Sequence, residues 1–226
     1  MSIPDWLAPI QEAAQLLRAE DISAFLPPVR GDHRAGAVLM LFGEGPAGPD
    51  LLLTERAHDM RSHPGQVSFP GGSADPDDDS PTATALREAE EETGLDPAGV
   101  VVLAALPQLW LPPSNFAVTP VLAWWEQESP VRVVDPAEVH AVLRVPIEEL
   151  LDPTHRVMVR HPSGYSGPGF LIGQDHDLLL WGFTAGLVHR LFDYVGLTRA
   201  WDTARTHALP EHMLRAGQAV PTRGER

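Results

Sequence analysis

Cysteine and lysine are both absent from this chain of 226 residues. Without thiols there is no disulfide scaffold, cysteine-ligated zinc ribbon or thiol nucleophile. Without lysine there is no P-loop ammonium and no Schiff base. All 16 basic residues are arginine, against 31 acidic ones, for a formal net charge of −15. That balance argues against nucleic acid held in a basic groove. An anionic substrate would need metal ions and local arginines to overcome it. No apolar run approaches the roughly 18 residues that span a bilayer. The opening MSIPDW also lacks the basic and apolar segments of a secretory leader. A cytoplasmic protein with no membrane partner is the expectation.

What is present, 43% hydrophobic residues, is enough for a globular core. Residues 1–30 read as a peripheral helical arm, with Trp6, Leu7, Ile10, Ala13, Ala14 and Leu17 at helical spacing and Asp5 as its N-cap. Pro27 and Pro28 end it. Residues 31–200 read as the main domain, and 201–226 as a tail that turns polar beyond about Arg205. Strands are predicted at Arg34–Phe42, Asp50–Arg56, Val100–Leu106, Ala117–Trp125 and Val139–Val145, and a long apolar helix at Leu178–Val195. Gly43, Gly45 and Gly48 match G-x-G-x-x-G, but an apolar strand follows where a dinucleotide site needs a helix. The segment reads as a hairpin loop.

The clearest helix follows a loop rich in glycine and aspartate. Ser80 suits its N-cap, Pro81 its first turn and Gly94 its stop. At 3.6 residues per turn, Glu91 lies ~60° to one side of Glu88 and Glu92 ~40° to the other, so three carboxylates share a stripe. Like charges at these spacings repel, and hard divalent cations would turn that cost into binding. A solvated acidic face is the alternative reading of the helix alone.

The segment Arg87, Glu88, Ala89, Glu91, Glu92, Gly94 and Leu95 resembles the R-E-U-x-E-E-x-G-U half of the Nudix hydrolase box. The other half departs from it. Counting back from Arg87, Asp79 and Ser73 stand where the box has glutamate and glycine, so Gly72 takes the glycine position across a loop one residue longer. Upstream, LLTERAHDMRSHPGQVSFPGG (Leu52–Gly72) is similar to the motif of coenzyme A diphosphatases within that family. It matches at Leu52, Leu53, Thr54, Arg56, Ala57, Arg61, Gly65 and Phe69–Gly72.

The resemblance implies an α/β/α sandwich on a mixed β-sheet, with an N-terminal helical arm and a C-terminal extension added. It implies hydrolysis of the diphosphate bond of coenzyme A or acyl-CoA with Mg²⁺ or Mn²⁺. Glu88, Glu91, Glu92 and Gly72 would hold metal, Arg87 would orient a catalytic glutamate, and Glu138 is a candidate extra ligand or base beyond the box. Arg56, Arg61, Phe69, Gly71 and Gly72 would meet the substrate. The arginines suit phosphate oxygens by their own chemistry, and pairing with Asp75–Asp79 is the alternative. Hydrolysis of ADP-ribose or NADH, and a silent nucleotide-binding domain, remain as rival functions. A homodimer using the arm or tail stays open. Trp110, Trp124 and Trp125 could stack a base, although such apolar runs are more often core. His58 and His63 lack the spacing of H-E-x-x-H. Asp75, Asp77 and Asp79 lack the glycine and glutamate of a calcium loop.

Overall fold

A computed structural model describes residues 3–23, 33–60, 63–162, 164–210 and 213–214. The N-terminal segment forms α1 (Ala8–Ala14) and the short α2 (Ala19–Ile22). It is not peripheral. Leu7 and Ile10 are fully buried, and Trp6 meets the rings of Phe42 and Trp124 at 6.2 and 5.9 Å. Leu7, not Asp5, occupies the N-cap, and no side chain caps α1. Burial of the apolar stripe compensates for the missing cap. Pro27 and Pro28 lie outside the described residues.

The first two apolar runs become an antiparallel hairpin, β1 (Arg34–Gly45) and β2 (Gly48–Arg56), closed by the pair Gly45–Gly48. The glycine pattern is therefore a turn, and no helix opens there to hold a pyrophosphate. Two short strands follow, β3 (Val67–Ser68) on β2 and β4 (Gly71–Ser73) on β1. Next come α3 (Pro81–Thr93), β5 (Val100–Ala105), β6 (Leu109–Leu111), β7 (Phe116–Trp125) and β8 (Val139–Pro146). Strand β7 runs parallel to β1 while β2, β5 and β8 pair antiparallel, which makes the sheet mixed, in the order β3-β2-β1-β7-β5.

Alternation along the strands builds two layers. Leu39, Leu41, Leu52, Val121 and Ala123 face Ala85 and Ala89 of α3. Their neighbours Met40, Phe42, Leu51, Leu53 and Leu122 face the opposite side, where α1 packs. Each leucine so buried contributes about 1.5–3 kcal/mol. This is the α/β/α sandwich that the resemblance implied.

Past α4 (Ile147–Leu151), the chain adds a second sheet from β9 (Arg156–Arg160), β10 (Ser166–Ile172), β11 (Leu178–Leu180) and β12 (Thr206–Ala208). The helix expected over Leu178–Val195 is thus divided. Its first residues pair with β10, Gly182 takes a left-handed φ of 72°, and only α5 (Gly182–Tyr194) is helical. Leu187, Val188 and Leu191 of α5 join α1 in the larger core. The start of the expected tail is also structured, because β12 pairs parallel with β9. Among the described residues no helix is long and apolar enough to cross a membrane.

Candidate active site

Helix α3 starts and stops as its sequence predicts. Ser80 Oγ accepts from the Ala83 N–H at 3.2 Å, and Gly94 ends the helix with φ 68°. Ala85 and Ala89 seat one face on the sheet, which turns the acidic stripe towards the β4 loop. Glu92 is 6% exposed and Glu88 is largely covered, whereas Glu91 reaches solvent. Glu90, on the far side of the helix, is exposed.

Two glycines make that approach possible. The Gly71 N–H donates to Glu92 Oε2 at 3.1 Å. A Cβ on Gly72 would stand 2.5 Å from the Glu88 carboxylate, closer than any side chain allows. Gly72 therefore presents its α-carbon to Glu88, while its carbonyl oxygen lies against Gly36 of β1.

Arg87 binds four groups. Its Nη1 donates to Glu88 Oε1 and Glu91 Oε2, both at 3.0 Å, and its Nη2 donates to the Ser73 carbonyl at 3.0 Å. Its Nε and Nη2 form a fork on the two oxygens of Asp78, at 3.0 and 2.9 Å. The Arg87 guanidinium, helped by the Asp75 N–H, holds the Asp78 carboxyl well below its usual range. Asp78 is a partner that the sequence reading passed over. It stands six residues after Gly72, the spacing of the box glutamate, so the extra residue falls between Asp78 and Arg87 rather than before them.

The electrostatics of the stripe are unfavourable by themselves. Burial pushes the Glu92 carboxyl up to about 7, against the Gly71 hydrogen bond and the positive charge of Arg56, with Glu88 and Glu138 adding to the rise. Burial also raises Glu88, which Arg87 opposes and Glu91 and Glu138 reinforce. The fold thus gathers Glu88, Glu91, Glu92 and the exposed Glu138 into one negative field facing Arg56. Carboxylate oxygens are the donors that a hard divalent cation takes, and such an ion would relieve both burial and repulsion.

The remaining expected residues divide. Arg56, at the end of β2, faces Glu92; its Nη2 contacts Met60 Sδ at 3.3 Å. No ion pair joins it to Asp75–Asp79 among the described residues. Arg61 lies outside the described residues. Phe69 does not reach the site. It is 2% exposed and packs in the larger core, on the α1 face of the sheet and opposite α3. Trp124 and Trp125 are core as well. His63, exposed and in a left-handed conformation with φ 55°, lies near Arg56. Nothing in its sequence context marked it.

The sequence profile of the NUDIX domain matches residues 32–162, more than half of the chain. A protein of Photorhabdus laumondii described as the uncharacterized Nudix hydrolase NudL is 39% identical over 173 residues, 75% of this chain and 90% of its own. Its namesake in Shigella flexneri is 36% identical over 175 residues, covering 74% and 85%. A crystal structure of a MutT/nudix family protein from Enterococcus faecalis superposes with a TM-score of 0.51 at 15% identity. It covers 87% of this chain and 76% of that one, a likeness of fold alone.

Proposed function

Because the chain belongs to the NUDIX domain family, we propose that it is a metal-dependent diphosphatase acting on coenzyme A or its thioesters. The observation that carries this reading is the joining of two motifs. Arg56 and Gly71, both from the Leu52–Gly72 segment, converge on Glu92 of the box helix, one by charge and one by hydrogen bond. A segment that resembles a coenzyme A motif therefore supplies one wall of the site, and the box supplies the other.

In this reading Glu88, Glu91 and Glu92, with the Gly72 loop against them, hold Mg²⁺ or Mn²⁺. A divalent cation there would neutralise diphosphate charge and activate water for attack on phosphorus. The chain's own residues do the rest. Arg87 fixes Glu88 and Glu91 through Asp78, so the ligands need no reorganisation. Arg56, and Arg61 by its place in the motif, neutralise phosphate oxygens. One of Glu88, Glu91 and Glu92, or Glu138, accepts the proton of the attacking water. Cleavage of one P–O bond of the anhydride gives 3′,5′-ADP and 4′-phosphopantetheine, or its acylated form. Such a substrate and a cysteine-free chain suit the cytoplasm.

The test is a product assay. The protein is incubated separately with coenzyme A, ADP-ribose and NADH, with and without Mg²⁺ or Mn²⁺, and products are identified by mass. Metal-dependent appearance of 3′,5′-ADP and phosphopantetheine is the expected result. Cleavage of ADP-ribose or NADH alone would discard the substrate and keep the chemistry. No cleavage of any of them would discard the coenzyme A reading and promote that of a silent binding domain.

A further inference from the structure

A second group of ligand-type side chains stands on the strands that carry Arg56 and Glu138. Glu55, the neighbour of Arg56 at an irregularity in the β2–β8 pairing, is 5% exposed. His58 Nε2 lies 2.8 Å from Glu55 Oε1. The ring of His140, the second residue of β8, meets the His58 ring edge-on at 4.6 Å between centroids. One ligand atom from each of the three falls within 4.8 Å of the others. The Ala57 N–H donates to the Glu138 carbonyl at 2.9 Å, which ties the end of β2 to the start of β8 beside this group.

The chemistry of the donors is specific. A carboxylate as deeply buried as Glu55 is costly without compensating partners. Two imidazole nitrogens and one carboxylate oxygen form a donor set that borderline-soft cations take, with water in the fourth position. The glutamates of α3 offer oxygen alone, which suits Mg²⁺. Tetrahedral bonds of about 2.0–2.2 Å would set the ligand atoms roughly 3.4 Å apart. Both histidines are exposed, and His58 Nε2 already stands within that spacing of Glu55 Oε1.

We propose that Glu55, His58 and His140 bind a divalent transition metal of the zinc class, at a site separate from the α3 glutamates, stapling the end of β2 to the start of β8. The ion would stabilise the backbone that presents Arg56 on one side and Glu138 on the other, without touching substrate. This holds whichever diphosphate the enzyme cleaves.

The experiment is a Co²⁺ titration of the untagged full chain carrying Glu88→Gln and Glu92→Gln, which weaken the oxygen site. One Co²⁺ per chain with the intense visible bands of four-coordination is expected. Separate His58→Ala and His140→Ala substitutions should reduce that affinity by at least the roughly 10–100-fold that loss of a supporting contact costs. Their far-UV circular dichroism should be unchanged. If the doubly substituted background fails to fold, the wild-type chain with saturating Mg²⁺ gives the same reading. Absence of binding, the weak bands of six-coordination, or bands that survive both histidine substitutions would overturn the proposal.

Discussion

The Gly71 N–H and the Glu92 carboxylate meet at 3.1 Å, joining the first residue of β4 to the last turn of α3. That bond holds a carboxylate in a place where burial alone would keep it protonated near neutrality. The metal-free fold therefore favours the protonated form of this residue.

Substituting Glu92→Gln should remove nearly all metal-dependent turnover, since one oxygen ligand and one negative charge disappear. The fold should survive, because the glutamine oxygen can still accept from Gly71. Steady-state rates with saturating metal and circular dichroism check the two halves of this expectation, and retained turnover would remove Glu92 from the site.

The same carboxyl should leave a pH signature on the metal-free protein. Its folded pKa, about 7, exceeds its ordinary value of 4.5, so the native state holds the proton more tightly than the unfolded one. Stability from this group is fully present below about pH 4.5 and is lost as pH rises through 7. The loss is at most about 3 kcal/mol, and Glu92→Gln should abolish it. Urea unfolding of both proteins at pH 5 and pH 8 measures the difference. An equal pH response in both would contradict the assignment.

Asp78→Asn should lower kcat by roughly 10–100-fold, because Arg87 loses the fork that aims it at Glu88 and Glu91. Asp79→Asn should change little. Kinetics of the pair locate the extra loop residue functionally, and the reverse ranking would place it before Asp78.

Gly72→Ala forces a methyl group towards the Glu88 carboxylate, which must turn aside. The metal concentration for half-maximal activity should rise about tenfold, the lower end expected for a disturbed support around a ligand. Wild-type metal dependence would show that Glu88 has freedom the structure does not reveal.

Phe69→Ala should destabilise the protein by about 3–5 kcal/mol through loss of buried area and the cavity left behind. KM of the folded fraction should hold, since the ring is core. A raised KM at unchanged stability would return Phe69 to the substrate.

Much of this was legible in sequence because local rules decided it. Ser80, Pro81 and Gly94 delimit α3 by capping chemistry, and helical periodicity alone puts Glu88, Glu91 and Glu92 on one stripe. The G-x-G-x-x-G decoy is dismissed by the strand that follows it. Composition excluded thiol and lysine chemistry before any fold was known.

Tertiary structure decided what depends on distant partners. Leu178–Leu180 is as apolar as a helix requires, and only pairing with β10 makes it a strand. Leu7 and Ile10 become core only because the Phe42 face of the sheet is there to receive them. Phe69 lies within a segment that resembles a substrate motif, yet its side chain is buried in the core on the α1 face of the sheet. Asp78 and Asp79 are the same residue type side by side, and the position of Arg87 in space selects the first. Sequence determined which carboxylates share one helical stripe. Their meeting with Gly71 needed a folded sheet, because contacts between residues far apart in the chain follow from packing rather than local periodicity.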